Sequence, residues 1–252
     1  MPDITLTTDW SDKGYTRGLI KGLLISRFPH SRIFDICHSV DPFDIKQAAF
    51  LLKTAHSAFP SGTIHIACVL PHYSHENEIV FFEKNGHFFI GPNNGLFSLV
   101  FEDVKRAGSI PIKYRDEYPV IRALSNGVAR ILKPDPGELE LEIELNQKLL
   151  IQPVVSPDTV RAVVNFVDHF GNLTLNIDEK LFREAVGKRN FSIYFKNHEP
   201  LREISRHYMD VPYGEVLCRF NSSGHLEIAA NNFSAAELLD LKVGDAVHLE
   251  LK

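Results

Sequence analysis

ITLTTDWSDKGYTRGLIKGLLISRFPHSRIFDIC, residues 4–37, changes hydrophobic period twice within one short span. Its ends, ITLTTD and RIFDIC, are short runs rich in β-branched residues and read as strands, the second of them buried. Between them YTRGLIKGLLISRF repeats its apolar residues at helical spacing. Strand, helix and strand in this order form a βαβ unit with parallel strands. The alternation continues with DIKQAAFLLKTAHSAF as a helix and TIHIACVL as another buried strand. VFFEKNGHFFIG reads as a hairpin around Asn85-Gly86, the pair that suits a turn with positive φ, and LFSLVFED and Pro119–Leu132 as further helices. The expected first domain, residues 1–150, is therefore α/β with a mostly parallel sheet.

KPDPGELE, from Lys133, breaks the pattern with two prolines and a glycine before an acidic run. Beyond it come short strands separated by turn signals: RAVVNFVD, LTLNI, NFSIYF, EVLCRF, HLEIAA and AVHLEL. This predicts an all-β second domain over residues 157–252, a small barrel or sandwich.

A formal net charge of -5, with no basic block, leaves nothing to neutralise a phosphate backbone, which argues against nucleic acid as a partner. No apolar run approaches the length of a membrane span and the N-terminus enters a strand directly, so the expected location is the cytoplasm, with no membrane partner. The three cysteines, Cys37, Cys68 and Cys218, are far apart in strand-like runs and suit packed thiols better than a disulfide or zinc framework.

In open parallel sheets ligands bind beyond the carboxyl ends of the strands. Three such ends carry unusual residues: TTDWSDKG, CHSVDPFD and VLPHYSHENE. In the second, Asp41 suits an N-cap with Pro42 at the first helical position, and Phe43 is either core or a stacking platform. In the third, His72, His75 and Glu76 lie in a loop at a spacing that matches no standard zinc helix, so no metal is expected. Among known site motifs, G-x-G-x-x-G, the P-loop and G-x-S-x-G are all absent. DHFGNLTLN, residues 168–176, has two readings: a plain turn, which needs both Gly and Asn, or a site built at a turn.

Taken together and in order, TTD at Thr7–Asp9, Lys21-Gly22, DICHSVDPFDIKQAAFLL, FPSGTIHIACV, FIGPNNGLFSLV, DHFGN-x-x-x-N-I and NSSGHLEIAANN followed by LKVGD resemble the S-adenosyl-L-methionine hydroxide adenosyltransferase family, relatives of the fluorinase and chlorinase enzymes. The resemblance implies an α/β domain followed by a β-barrel, and a homotrimer with each active site between two subunits. It implies S-adenosyl-L-methionine as substrate or ligand, with no further cofactor, and displacement of methionine from ribose C5′ by water, chloride or fluoride.

Residue by residue, the resemblance assigns Asp9 to the ribose hydroxyls, Phe43 to the pocket wall, Asp168 to the methionine ammonium and Phe170 to packing beside the ligand. Asn172 would read the adenine edge, Tyr208 would stack on adenine, Ser222 and Ser223 would meet the methionine carboxylate, and Asn231 and Asn232 would offer backbone groups to adenine.

The family's water-activating Asp, Arg and His are not matched. Leu70, Pro71, His72, Tyr73 and Ser74 occupy the loop that carries the first two, and only Arg115 and Asp116 correspond to the segment that carries the third. Gly14 stands where a carboxylate is expected, with Asp12 nearby. Two functions follow: a hydrolase forming adenosine, with His72 or His75 as the activating group, or a protein that keeps the ligand pocket without turnover. A halogenase is a third, less supported, because Leu70 replaces the tyrosine of the halogenating loop.

Overall fold

The computed structural model describes residues 1–71, 78–132, 142–195 and 198–252. The chain divides into two compact units, Met1–Leu149 and Leu150–Lys252.

In the first unit, strands and helices run in the order β1 (Ile4–Thr8), α1 (Thr16–Arg27), β2 (Ile33–Cys37), α2 (Ile45–Ala55), β3 (Ile64–Cys68), β4 (Glu78–Lys84), β5 (His87–Pro92), α3 (Leu96–Val100), β6 (Arg106–Pro111), α4 (Pro119–Leu132) and β7 (Glu142–Glu144). The seven strands form one sheet in the order β2-β1-β3-β5-β4-β6-β7. β1 pairs in parallel with β2 and β3, and β3 with β5, whereas β4–β5, β4–β6 and β6–β7 are antiparallel. The sheet is therefore mixed, half parallel and half antiparallel, and not mostly parallel as the alternation predicts. The cause is local. The Asn85-Gly86 turn, with φ of 53° and 78°, folds β4 straight back onto β5, and no helix crosses between them.

β1 and β3 are buried along their whole length because helices cover both faces. β2, expected to be buried, lies at the sheet edge and is largely half-exposed or exposed. α2 begins one turn later than DPFD suggests: Asp44, not Asp41, is its N-cap, accepting the N–H groups of Lys46 and Gln47. The core of this unit joins β1, β3 and β5 to α1 and α4.

The second unit contains β8 (Val154–Val155), β9 (Thr159–Val167), β10 (Leu173–Asp178), α5 (Glu179–Val186), β11 (Phe191–Tyr194), β12 (Val216–Phe220), β13 (His225–Ala230), α6 (Ala235–Leu239) and β14 (Ala246–Leu251). Its antiparallel sheet runs β11-β14-β9-β10-β13-β12, with β8 against β9. Closure into a full barrel is not achieved among the described residues. The outer strands β11 and β12 meet only through single bridges to the segment between them, Ile193 to Leu201 and Ile204 to Cys218. The sheet is a curled, open half-barrel. Leu173, Leu175, Leu226 and Ile228 point into its core against Phe182 of α5. Among the described residues, no helix of either unit is long and apolar enough to cross a membrane.

Candidate functional site

Asp9 follows β1 directly, at the carboxyl ends of the parallel strands. Its Oδ2 accepts the backbone N–H of Phe43 at 3.1 Å and of Leu70 at 3.4 Å. One carboxylate thus ties together the segments after β1, β2 and β3. The backbone at this meeting point is unusual, since Ser11, Phe43 and Leu70 all hold positive φ, at 58°, 71° and 47°. For residues with a Cβ this is strained, and such strain gathers where a site needs a set geometry. Phe43 is 67% exposed, which removes the core reading and leaves an aromatic held outward.

Two further side chains hold this strand end. Asn94, buried, donates from Nδ2 to the carbonyls of Val69 at 2.7 Å and Leu70 at 3.2 Å, and its Oδ1 accepts the N–H of Leu96. Gly91 lies so close that a Cβ there would sit 2.1 Å from the carbonyl oxygen of Ala67. On the other side, His38 Nδ1 is 2.7 Å from Thr8 Oγ1, and His38 Nε2 is 3.0 Å from Asp35 Oδ1. Asp35 Oδ2 accepts from Lys21 at 2.6 Å. Burial lowers the His38 pKa, against the opposing pull of Asp35. Burial also works against charge on Asp35, but the bonds from Lys21 and His38 outweigh it and hold the carboxyl below its usual range.

Behind the site, on the strands themselves, lies a second set of histidines. Thr5 Oγ1 is 2.7 Å from His65 Nδ1, and His65 Nε2 is 3.1 Å from His87 Nδ1. The His65 ring stacks on Phe89 at 5.2 Å. Burial, together with the neighbouring His87 and His56, pushes His65 down to about 3.

The second unit answers the question raised by DHFGN. Asp168 Oδ1 accepts the N–H of Phe170 at 2.8 Å and of Asn172 at 2.9 Å, and Oδ2 accepts Asn172 Nδ2 at 2.9 Å. Gly171, φ 80°, completes the turn and packs on Ser234. Structurally this is a complete turn. Yet it holds Phe170 74% exposed and leaves the Asp168 carboxylate, which has about four acceptor sites, room for one more donor.

The NSSG turn is organised in the same way. Asn221 Oδ1 accepts the N–H and the hydroxyl of Ser223 at 3.0 and 2.7 Å and the N–H of His225 at 3.1 Å, while Ser222 is exposed. Asn231 is buried, with its N–H given to Glu215 and its carbonyl accepting from Gly214, so its backbone is already engaged. Asn232, exposed at φ 55°, turns the chain next to it. Tyr208 sits on one turn of 3-10 helix, Tyr208–Asp210, and donates its hydroxyl to Glu227 Oε1 at 3.0 Å. Arg219 lies over its ring, 4.6 Å from the centroid. Burial and then the Glu227 bond raise the Tyr208 pKa, and burial raises that of Glu227.

His72 and His75 lie outside the described residues. Among those described, no three His, Cys, Asp or Glu side chains are arranged to hold a metal ion. Asp12 is exposed and paired with Arg17, while Arg115 and Asp116 are exposed on the turn before α4. Asn94, His38, Arg219 and Glu227 were not singled out by the sequence. The available signal for Glu227 was a lone charge inside the apolar run HLEIAA.

The structure is similar to the crystal structure of an uncharacterized conserved protein from Thermotoga maritima, with TM-score 0.83, 27% identity and coverage of 98% of this chain and 99% of that one. A conserved hypothetical protein from Thermus thermophilus matches over 100% of both chains with TM-score 0.76 and 25% identity. Among curated proteins, the (R)-S-adenosyl-L-methionine hydrolase of Methanocaldococcus jannaschii is 29% identical, covering 98% of this chain and 95% of the relative. A fluorinase from Actinopolyspora mzabensis is 25% identical over 95% of each. Residues 4–124 match the SAM hydroxide adenosyltransferase N-terminal domain and residues 162–248 match its C-terminal domain. With both domains matched in order over most of its length, the chain belongs to the SAM hydroxide adenosyltransferase family.

Proposed function

We propose that the protein hydrolyses S-adenosyl-L-methionine: water attacks ribose C5′, and L-methionine leaves as adenosine forms. The observation that carries this reading is Asp9, a carboxylate fixed by two backbone N–H groups at the meeting of three strand ends. The kinship with proteins named as hydrolases supports it. Oδ1 of Asp9, with both its lone pairs, accepts the ribose hydroxyls, and the exposed Phe43 covers the sugar. Asp168 takes the ammonium, Ser222 and Ser223 the carboxylate. Asn172 reads the adenine edge, with Tyr208 and Phe170 against its faces and Asn231 and Asn232 beside it.

The chemistry sets modest demands on the protein. A sulfonium leaves as a neutral thioether and needs no acid, so the rate depends on holding C5′ in line with the nucleophile. Water must also lose a proton, and His72 or His75 is the acceptor in this reading. The working form is a homotrimer with sites shared between subunits, which light scattering tests directly; a monomer at every concentration would end the shared-site proposal.

The test of function is to incubate the full chain with S-adenosyl-L-methionine, with and without chloride or fluoride, and to separate the products by chromatography. Adenosine and methionine in equal amounts support hydrolysis. A 5′-halo-adenosine makes the protein a halogenase. Binding without adenosine above the uncatalysed background at any pH from 5 to 9 makes it a ligand-binding protein.

A further inference from the structure

In β13 the residues Leu226, Ile228 and Ala230 enter the core, and Glu227 faces the other way, yet it is only 5% exposed. Its register partners are Thr174 on β10 and Arg219 on β12. Residues directly opposite one another share a sheet face, so the three form one polar row across three strands. Tyr208 closes over this row, bonded to Glu227 through its hydroxyl and covered on one ring face by Arg219. The backbone beneath Tyr208 is pinned separately, since Asp210 accepts the N–H groups of Arg206 and His207 at 2.8 and 3.0 Å.

Burying a carboxylate is costly, and an apolar side chain at such a position generally serves stability as well or better. The core on the opposite face is complete without it. What the carboxylate does accomplish is visible in its contacts: it fixes the tip of one partly exposed aromatic ring, 38% open to solvent.

We propose that Glu227 is a positioning residue that, together with Arg219, clamps the Tyr208 ring as a shelf for the flat base of the ligand. This rests on the stacking role given to Tyr208 in the reading above. A free surface tyrosine loses side-chain freedom when a base settles on it, whereas a tethered ring has lost that freedom on folding. With Arg219 against one face, the base takes the other, and the guanidinium further polarises the stack. Burial of Glu227, aided by the Asp168 charge and opposed by the Tyr208 hydroxyl, the Arg219 charge and the Asn221 side chain, raises its pKa.

The experiment is calorimetric titration of the full chain with adenosine, and with L-methionine as a ligand that has no base. The proteins are the wild type, Tyr208→Phe, Glu227→Ala, Glu227→Gln and the double variant Tyr208→Phe/Glu227→Ala. Loss of the tether is expected to weaken adenosine binding about 5-fold in Tyr208→Phe and in Glu227→Ala, the size of one net hydrogen bond, and to leave L-methionine unchanged. The double variant is expected to be no weaker than either single one. Glu227→Gln keeps an acceptor for the phenol and is expected to recover most of the loss. Tyr208→Phe leaves the buried carboxylate in place, so the tether is tested even if Glu227→Ala does not fold. Wild-type adenosine affinity in Tyr208→Phe, parallel weakening of both ligands, or a Gln variant as weak as the Ala variant would overturn the inference while leaving the ligand reading intact. A wild type that binds neither adenosine nor S-adenosyl-L-methionine ends the ligand reading, and this inference with it.

Discussion

Asp9 and Asp168 are both carboxylates at the end of a strand, and they are held in opposite ways. The donors to Asp9 come from residues 34 and 61 positions away, whereas the backbone donors to Asp168 come from 2 and 4 positions away. Asp168 is set by its own turn and needs little else. Asp9 is set by the sheet, so anything that moves β3 or the segment before α2 moves it as well. Remote changes should therefore disturb the setting of Asp9 and spare that of Asp168.

The widest separation is expected on acidification. His65 has its pKa lowered by burial in the folded chain, to about 3, while unfolded histidine titrates near 6.5. The unfolded state therefore takes up the proton first. The stability contributed by neutral His65 is fully present above about pH 6.5 and declines by at most about 1.4 kcal/mol per pH unit as pH falls toward 3. The single tryptophan of the chain, Trp10, adjoins Asp9 and reports the first unit by fluorescence. Its signal is expected to change at a higher pH than that at which the strands of the second unit lose amide-exchange protection, and coincident transitions would erase the contrast.

Next in size is Gly91→Ala. The added Cβ meets a backbone carbonyl 2.1 Å away, which cannot rotate aside, so a cost of about 3 kcal/mol is expected in denaturant unfolding, with weakened ligand binding as β3 shifts. Gly171→Ala sharpens the comparison, because the atoms nearest its Cβ all belong to Ser234, Oγ at 2.1 Å and Cβ at 2.7 Å, a cap residue that can shift with the start of the short helix α6. With the strain of φ 80° the cost should be about 1–2 kcal/mol and confined to the second unit. A Gly171→Ala effect larger than that of Gly91→Ala would reverse the argument.

Asp9→Ala should weaken adenosine binding by about 2 kcal/mol in calorimetry, because a preorganised charged acceptor is lost. Unchanged affinity would remove Asp9 from the site. The smallest effect is expected for Asp44→Ala, about 1 kcal/mol of stability for one lost cap, with Asp41→Ala well below it.

The alternating half of the fold was readable because β1, α1, α2 and β3 carry clean hydrophobic periods, and so was the hairpin, through its Asn-Gly turn. β6 was not: its sequence RAGSIP holds a glycine and a proline and no β-branched run. Without it the antiparallel half of the sheet could not be counted. The open edge of the second sheet depends on pairing between segments distant in sequence, which no local pattern encodes. For the candidate site, motifs singled out Asp9, Phe43 and Asp168. The exposure of Phe43 and the burial of Glu227 follow from tertiary packing, so an aromatic that could equally have been core proved exposed, and a charge within a strand proved buried.

The order of the first sheet also has a consequence in time. β4 and β5 pair across a two-residue turn, while Ile4 must find Ile64 across the intervening chain. Closing a long loop before any contact rewards it is slow, and closing a hairpin is fast. The β4–β5 hairpin is therefore expected to form before β1 pairs with β3. Asp9 reaches the N–H of Leu70 only once β1 and β3 have paired, so a chain recovering from denaturant is expected to regain its hairpin before the strand-end geometry around Asp9.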